Sequence, residues 1–278
     1  MPPIRPPVRP PPLRDLDPDA HLDDPARKQR YVTTLFDTVA PSYDRFTRWF
    51  SFGMDGAWKR QLANWAVEVM PDHGVLVDLA CGTGAVMQAV GRKDGRTEGQ
   101  KLRTGIGVDT SAEMLAVAAR RLSDRPSTRP SFRLVRASML AIPLPDGSVD
   151  VVTVGYGFRN APDAGAALAE AARVLKPGGW LFDLDFFRPA GRAWRRLYLW
   201  YLRQAGRAVG RLRHGDPEAY GYIARSLERW LMPSEFRGLL ERSGFAVEHV
   251  AEKLGGGICL HGARRRDDRM TESGLLLP

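Results

Sequence analysis

Apolar positions along the chain follow two regimes. From residue 25 to about 70 they recur at spacings of three and four: Val32, Leu35, Phe36 and Val39, then Phe46, Trp49 and Phe50, then Met54, Trp58, Leu62, Trp65 and Ala66. That period puts each set on one face of a helix. Three helices are predicted, broken at Pro41 and near Ser51-Phe52-Gly53. Beyond residue 70, short apolar runs alternate with helical stretches. Residues 74–80 read as a buried strand that turns through Cys81-Gly82-Thr83-Gly84 into a helix reaching residue 90. The polar stretch 91–103 reads as a surface loop. Strands are predicted at 105–109, 132–136, 149–155 and 180–186, with helices at 111–122 and 162–175, the latter ended by Lys176-Pro177-Gly178-Gly179. Residues 188–242 read as a helical insertion. Residues 246–250 and 257–261 read as two further strands, and the polar tail from Arg264 is expected to be loose. Strands alternating with helices imply right-handed crossovers and a parallel sheet covered on both faces.

Composition supports an ordered core: of 278 residues 44% are hydrophobic and 26% charged. No apolar run approaches the ~18–20 residues of a membrane span. Nine prolines fall within residues 1–25, which excludes helix and central strand there and predicts an extended, disordered arm. Its PxxP-like spacing would also suit a docking tail. The first residues lack an apolar core of the secretory kind. Cys81 and Cys259 are too few for a disulfide framework. Free thiols and a cytoplasmic location are expected. Cysteine and histidine show no metal-ligand spacing, so no metal is expected.

The net charge is +9, and between residues 186 and 213 stand eight arginines and no Asp or Glu. So local an excess points to one basic partner surface, such as an anionic membrane, rather than to nucleic acid. Trp194, Tyr198, Tyr201 and Leu202 fall on one helical face, flanked by Arg195, Arg196, Arg203 and Arg207. An aromatic face beside arginines predicts an interfacial anchor.

The stretch Val77-Asp78-Leu79-Ala80-Cys81-Gly82-Thr83-Gly84 sits on the first strand-to-helix turn. Its glycines permit a tight turn and a close approach of backbone to a ligand. Such a turn also serves dinucleotide enzymes, but this one begins with an acid and lacks the third glycine of GxGxxG. Twenty-five residues past Gly84 the second strand ends in Asp109, placed to accept two ribose hydroxyls. DxxxGxG resembles motif I of class I S-adenosylmethionine methyltransferases. The chemistry fits: an acid at Asp78 suits an ammonium, and a helix N-terminus suits a carboxylate.

Further stretches sharpen the likeness. They are Leu35-Phe36-Asp37-Thr38-Val39-Ala40-Pro41-Ser42-Tyr43-Asp44, Gly155-Tyr156-Gly157-Phe158-Arg159-Asn160 and Arg173-Val174-Leu175-Lys176-Pro177-Gly178-Gly179. Together with Tyr220 to Ser226 and the segment ending at His261, they resemble the UbiE/MenG family, C-methyltransferases of ubiquinone and menaquinone biosynthesis. The resemblance runs from about residue 28 to 264. It implies a Rossmann-like, seven-stranded α/β class I methyltransferase sheet with an N-terminal helical lid (26–70) and a basic helical insertion (188–242). The domain spans 26–264, with a flexible tail at 265–278. It implies S-adenosylmethionine as cofactor, held by Asp78, Ala80, Gly82, Thr83, Gly84, Asp109, Thr110, Met114, Ser138, Met139 and Gly155. The substrate implied is a prenylated quinol, methylated on a ring carbon, with another small aromatic or lipid product as the alternative. A non-catalytic cofactor-binding protein also stays open. Arg159 is assigned to stabilising the developing phenolate, Asn160 to a ring oxygen and Tyr43 to closing over the cofactor. His261 is the side chain whose intrinsic pKa best suits a base; Asp185 reads as a strand cap. Peripheral contact with anionic membrane through 188–213 and a homodimer are the partners expected. Phe46, Thr47, Asp55, Ser138 and Asp185-Phe186-Phe187 depart from the family pattern.

Overall fold

The computed structural model describes residues 24–94, 102–123, 131–214 and 221–267. The proline-rich arm up to residue 23 and the tail from 268 lie outside the described residues.

The first helix, α1 (Pro25–Val39), begins where the arm ends. The Asp24 side chain accepts the Arg27 N–H at 2.8 Å, and Pro25 takes the first helical position, where its missing N–H costs nothing. Pro41 lies in a 3-10 turn (Ala40–Ser42) that leads into α2 (Tyr43–Phe50), and α3 (Asp55–Glu68) follows. The predicted break between the last two is a left-handed turn at Phe52 (φ 51) and Gly53 (φ 78). Phe52 pays the usual strain of such backbone, about 1–3 kcal/mol, and still leaves 72% of itself exposed.

The sheet follows: β1 (Gly74–Leu79), α4 (Ala85–Asp94), β2 (Leu102–Asp109), α5 (Ala112–Ser123), β3 (Ser131–Arg136), β4 (Val149–Gly155), α6 (Ala164–Val174) and β5 (Leu175–Phe186). Then come α7 (Arg192–His214), α8 (Gly221–Glu228), α9 (Pro233–Arg242), β6 (Phe245–Lys253) and β7 (Ile258–Arg265). The strand order is β3-β2-β1-β4-β5-β7-β6. The chain reverses direction across the sheet between β1 and β4, which opens a crevice at their carboxyl ends.

The expectation of a wholly parallel sheet is corrected at one edge. β7 runs antiparallel to both β5 and β6. The cause is local: the three-residue turn Leu254–Gly256, with Gly255 at φ 59 and Gly256 at φ 84, joins β6 to β7 as a hairpin, and a hairpin cannot make parallel neighbours. Three boundaries also shift. α4 continues to Asp94, whose carboxylate accepts the Leu102 N–H at 3.1 Å and starts β2 one residue before the predicted loop was to end. β5 begins at Leu175, because Lys176-Pro177-Gly178-Gly179 forms an irregularity within the strand. β7 runs through Arg265 rather than fraying at Arg264: Arg264 Nε donates to the Gly178 carbonyl at 3.0 Å, and Arg265 donates to that of Leu175.

Apolar side chains fill both faces of the sheet. Helices α7 to α9 cover part of one face, and here the predicted anchor is corrected. Tyr198 and Leu202 are buried, not outward. The Tyr198 hydroxyl donates to the Gly257 carbonyl at 3.0 Å, and its ring fills the space beside Gly257, where a Cβ would come within 2.7 Å. Leu197 and Trp200 face outward instead. Tyr198→Phe removes one hydrogen bond but leaves Gly257 O its bond from Phe187 N–H. It is expected to cost about 1 kcal/mol, read as a fall of about 2–4 °C in Tm. An unchanged Tm would show that α7 does not depend on this tether.

Candidate active site

A cleft, open at its mouth, lies at the carboxyl ends of β1, β2 and β4. Its floor is the motif turn. Ala80 and Gly82 take φ values of 50 and 51, which folds the backbone back on itself and aims the Gly82 N–H at Asp109 Oδ2, 2.8 Å away. Asp109 Oδ1 accepts the Ser111 N–H at 2.9 Å. Both oxygens are thus oriented by backbone donors, and each keeps a lone pair for a ligand hydroxyl. Burial nevertheless raises the Asp109 pKa.

Asp78 is the deepest acid of the cleft, 1% exposed. Its Oδ1 accepts the Thr153 hydroxyl at 2.7 Å. Its Oδ2 is buried without a hydrogen-bond partner. Burial pushes its pKa up to about 7, against smaller lowering by Thr153 and Lys59. A buried acceptor left open beside a cavity fits a ligand that brings a cation.

Ala80, Gly82, Thr83, Thr110, Met114, Met139 and Gly155 all line the cleft, as do Tyr43 and Asn160. At Gly155 an added Cβ would stand 3.0 Å from Val86, so the bare backbone keeps that wall thin. Gly84 serves packing instead: at φ 73, it lets the start of α4 approach α5, where a Cβ would meet Ala118 at 3.1 Å. Ser138 is turned away from the cleft, with its hydroxyl accepting the Leu140 N–H at 3.1 Å; its neighbours Ala137 and Met139 form the wall there. Cys81 lines the cleft, and burial raises its thiol pKa well above the ordinary value, which keeps it a neutral packing group.

The three N-terminal helices are fastened across the opening. Thr33 shares a hydrogen bond with Thr110 at 3.1 Å, and the Ser111 hydroxyl donates to Asp37. Lys28 donates to the Ala161 carbonyl. Asp44, one residue past Tyr43, accepts the Thr83 hydroxyl at 2.8 Å and pairs with Arg121, which also reaches Thr83 Oγ1. Tyr43 packs edge-on against Phe36, ring centres 5.8 Å apart.

One cluster was missed by sequence reasoning. Lys59 lines the cleft and is held by Asp55 at 2.8 Å, which also accepts the Tyr156 hydroxyl at 2.7 Å. The available signal was the Asp55–Lys59 spacing of four, which puts the pair on one helical face with Leu62 and Ala66; only the fold reveals that Tyr156 completes it.

Besides Gly84 and Ser138, two more assigned residues, Arg159 and His261, do not line the cleft. Arg159 is 5% exposed. Its Nε lies 3.7 Å from Asp185 Oδ1, its Nη1 donates to Ser226, and its guanidinium sits 5.6 Å from the Phe186 ring centre. Asp185 is therefore more than a strand cap: it accepts both the Arg159 and Phe186 N–H groups and pairs with the guanidinium. His261 lies wholly buried on β7, between the rings of Phe187 and Phe236, each 5.2 Å away, with Asp183 Oδ2 at 3.5 Å from Nδ1. Burial lowers its pKa to about 4. The position expected to supply a base is thus occupied by a neutral core side chain removed from the cleft. Among the described residues no cluster of His, Cys, Asp and Glu is arranged to hold a metal.

A reversing seven-stranded sheet with an acid after β1 and another after β2 is the architecture of class I methyltransferases. Structural likeness agrees. A SAM-dependent methyltransferase from Thermotoga maritima superposes with a TM-score of 0.53 at 17% identity, covering 84% of this chain and all of that one. The trans-methyltransferase CalH, solved with SAH, gives 0.52 at 20%, covering 74% and 55%. The chain belongs to the ubiE/COQ5 methyltransferase family, whose model matches residues 25–265, and it is a methyltransferase. A demethylmenaquinone methyltransferase of Thermus thermophilus is 36% identical over 77% of this chain and 93% of its own. A ubiquinone/menaquinone biosynthesis C-methyltransferase UbiE of Methylobacterium nodulans is 37% identical over 84% and 89%. A 2-phytyl-1,4-naphtoquinone methyltransferase of Thermosynechococcus vestitus is 33% identical over 81% and 95%.

The raised pKa of Asp78 has a sign that can be measured. In the unfolded chain the group titrates near 3.8, in the native state near 7. Between those values the folded protein holds a proton the unfolded chain has lost, so this contribution to stability disappears as pH rises through about 7. Asp78→Asn cannot ionise. Without ligand, its Tm relative to wild type is expected to rise from about pH 5 to pH 8; melting curves that shift in parallel would refute the buried, open carboxylate.

Proposed function

We propose that the cleft holds S-adenosylmethionine and that the chain methylates a ring carbon of a prenylated quinol. The observation that carries the first part is the partnerless, buried Asp78 Oδ2 beside a cleft whose second acid, Asp109, is already oriented by two backbone donors. In this reading Asp78 receives the amino-acid ammonium, Asp109 the ribose hydroxyls, and the wall of Ala137 and Met139 the adenine face. The amino end of α4 favours the carboxylate. The cofactor supplies an electrophilic methyl group on a sulfonium. The quinol reading is supported by the names of the relatives, all of which act on quinones.

For the acceptor, this chain offers Tyr43 and Asn160 on the cleft wall and buried positive charge behind them. Asn160 Nδ2 donates to the Tyr156 carbonyl at 2.8 Å, which fixes the amide so that its oxygen can accept from a ring hydroxyl. Arg159 lies beside Asn160 in the chain, with its guanidinium buried against Asp185. Its charge favours ionisation of the other ring hydroxyl at a distance rather than by direct contact, and that ionisation makes the adjacent ring carbon nucleophilic. That carbon would take the methyl group as the thioether leaves, and the ring proton would pass to solvent water. Alignment by the fastened α1 and α2 supplies part of the acceleration, of the kind worth ~7–11 kcal/mol in well-oriented systems. The N-terminal helices act as the lid over this arrangement.

Calorimetry with S-adenosylmethionine tests the cofactor. Affinity is expected to weaken by up to about tenfold per pH unit below 7, as Asp78 takes up its proton, and to become nearly pH-independent and at least about tenfold weaker in Asp78→Asn. Product mass after incubation with a panel of prenylated quinols tests the reaction: a gain of one methyl group supports it. Tight binding of a nicotinamide dinucleotide with none of an adenosyl sulfonium would overturn the assignment.

A further inference from the structure

The large apolar side chains left exposed among the described residues are Phe52, Trp194, Leu197, Trp200, Val250 and Leu254. Val250 stands on the edge strand β6. The other five are joined through α7. Phe52 stacks on Tyr201, ring centres 5.5 Å apart at 22°, and Tyr201 follows Trp200 and lies one turn beyond Leu197. Trp194 Nε1 donates to the Leu254 carbonyl at 2.8 Å. Phe52 combines a left-handed backbone with an exposure of 72%. Strain and exposed apolar surface at one residue are what a contact surface shows when its partner is missing.

The charge around this ridge is mostly positive, with the acids Glu228, Asp44 and Asp55 near it. Arg196, Arg203 and Arg207 stand four before, three after and seven after Trp200, on the adjoining strip of α7, and all are exposed. Arg203 pairs with Glu228 of α8; α7 itself carries no acid. On the other side of Phe52, a hollow beginning at Gly53 is lined by Arg48, Arg60, Arg92 and Lys93 among others. An apolar crest between two basic strips has the layout of an interfacial membrane element.

We propose that Phe52, Leu197 and Trp200, with the arginines beside them, dock this protein onto an anionic lipid bilayer. A second copy of the chain would set basic strips against each other. Nucleic acid would meet the arginines but leave Leu197 in water, for an aliphatic side chain neither stacks on a base nor bonds its edge. No described helix is long and apolar enough to cross a membrane, so contact is at the surface. The docking stands on this face alone; delivery of a lipid acceptor through it rests on the proposed quinol reaction. The geometry favours that delivery. Phe52 sits between α2, which carries Tyr43, and α3, which carries Lys59, and both side chains line the cleft.

The test is co-sedimentation of the full chain with phosphatidylcholine vesicles, with and without phosphatidylglycerol, at low and high salt. Wild type is expected to bind the anionic vesicles at least about tenfold more tightly, and to lose most of that preference at high salt. The combined variant Phe52→Ser, Leu197→Ser, Trp200→Ser should lose about tenfold or more in binding while keeping its Tm. Arg192→Gln with Arg196→Gln should reduce the preference for anionic lipid. Turnover of a long-chain quinol in vesicles should fall in the combined variant, with that of a short, water-soluble quinol unchanged. Absent vesicle binding by wild type, equal binding by the combined variant, or a salt-sensitive RNA complex in place of vesicle binding overturns the docking. So does a dimer that the combined variant abolishes without any vesicle binding. Methylation of the soluble quinol without vesicle binding sinks the docking alone; vesicle binding without methylation of either quinol sinks the reaction alone.

Discussion

A carboxylate oxygen that has no partner inside the protein organises this molecule. Asp78 ends β1 where the sheet reverses, and its second oxygen is buried and unsatisfied. A buried polar group in that state costs roughly 1–3 kcal/mol, so the surrounding structure must be stable enough to keep it. It is kept by the sheet on both sides: Thr153 of β4 donates to the other oxygen, and β1 pairs with β2 and β4 along nearly its full length. The same reversal that leaves Asp78 facing open space brings Asp109 to its side. Fold and site are therefore one constraint. Moving the crossover would bury the acid against a neighbouring strand and close the cleft at once.

Most of that was readable from the residues, because it depends on local pattern. Alternating apolar runs predict the order of strands and helices, and a glycine turn between two acids predicts where a ligand sits. Tyr43, Asn160, Asp109 and the motif residues Asp78, Ala80, Gly82 and Thr83 line one cleft. What was not readable depends on contacts between distant elements. The antiparallel edge follows from a three-residue hairpin whose length single-strand patterns do not reveal. His261 resembles a base by type and position along the chain, yet β7 carries it into the core beneath Phe187 and Phe236, and burial removes its basicity. Ser138 fails by one residue: the chain turns there, and the side chain serves its own backbone. The outward face of α7 was misread for a related reason. Tyr198 and Leu202 look like an anchor by periodicity, but the helix lies against the sheet and spends that face on packing.

The fastening of the N-terminal helices adds a second level. Asp37, Asp44 and Thr33 each bind a group on the cofactor-side loops rather than within their own helix. These bonds are part-buried and individually modest. Together they tie the position of Tyr43 to the same turn that positions Asp109, through Thr83 and Ser111. The N-terminal helices and the turn therefore hold one position together, since the two share donors and acceptors.

The same logic extends outward to the exposed ridge. Phe52 cannot relax to ordinary backbone without altering the entry angle of α3, and α3 carries Lys59, whose ammonium is shared between the cleft, Asp55 and the ring of Tyr156. Tyr156 itself takes a left-handed backbone at φ 62, directly after β4. Two strained, non-glycine residues thus bracket one short path from surface to cleft, joined through the Asp55 carboxylate that accepts from both Lys59 and Tyr156. Strain of this kind persists only where the surroundings over-determine it. Here the surroundings are a stacked tyrosine at one end and a buried ion pair at the other, so the ridge and the cleft are built on the two ends of one stretch of chain.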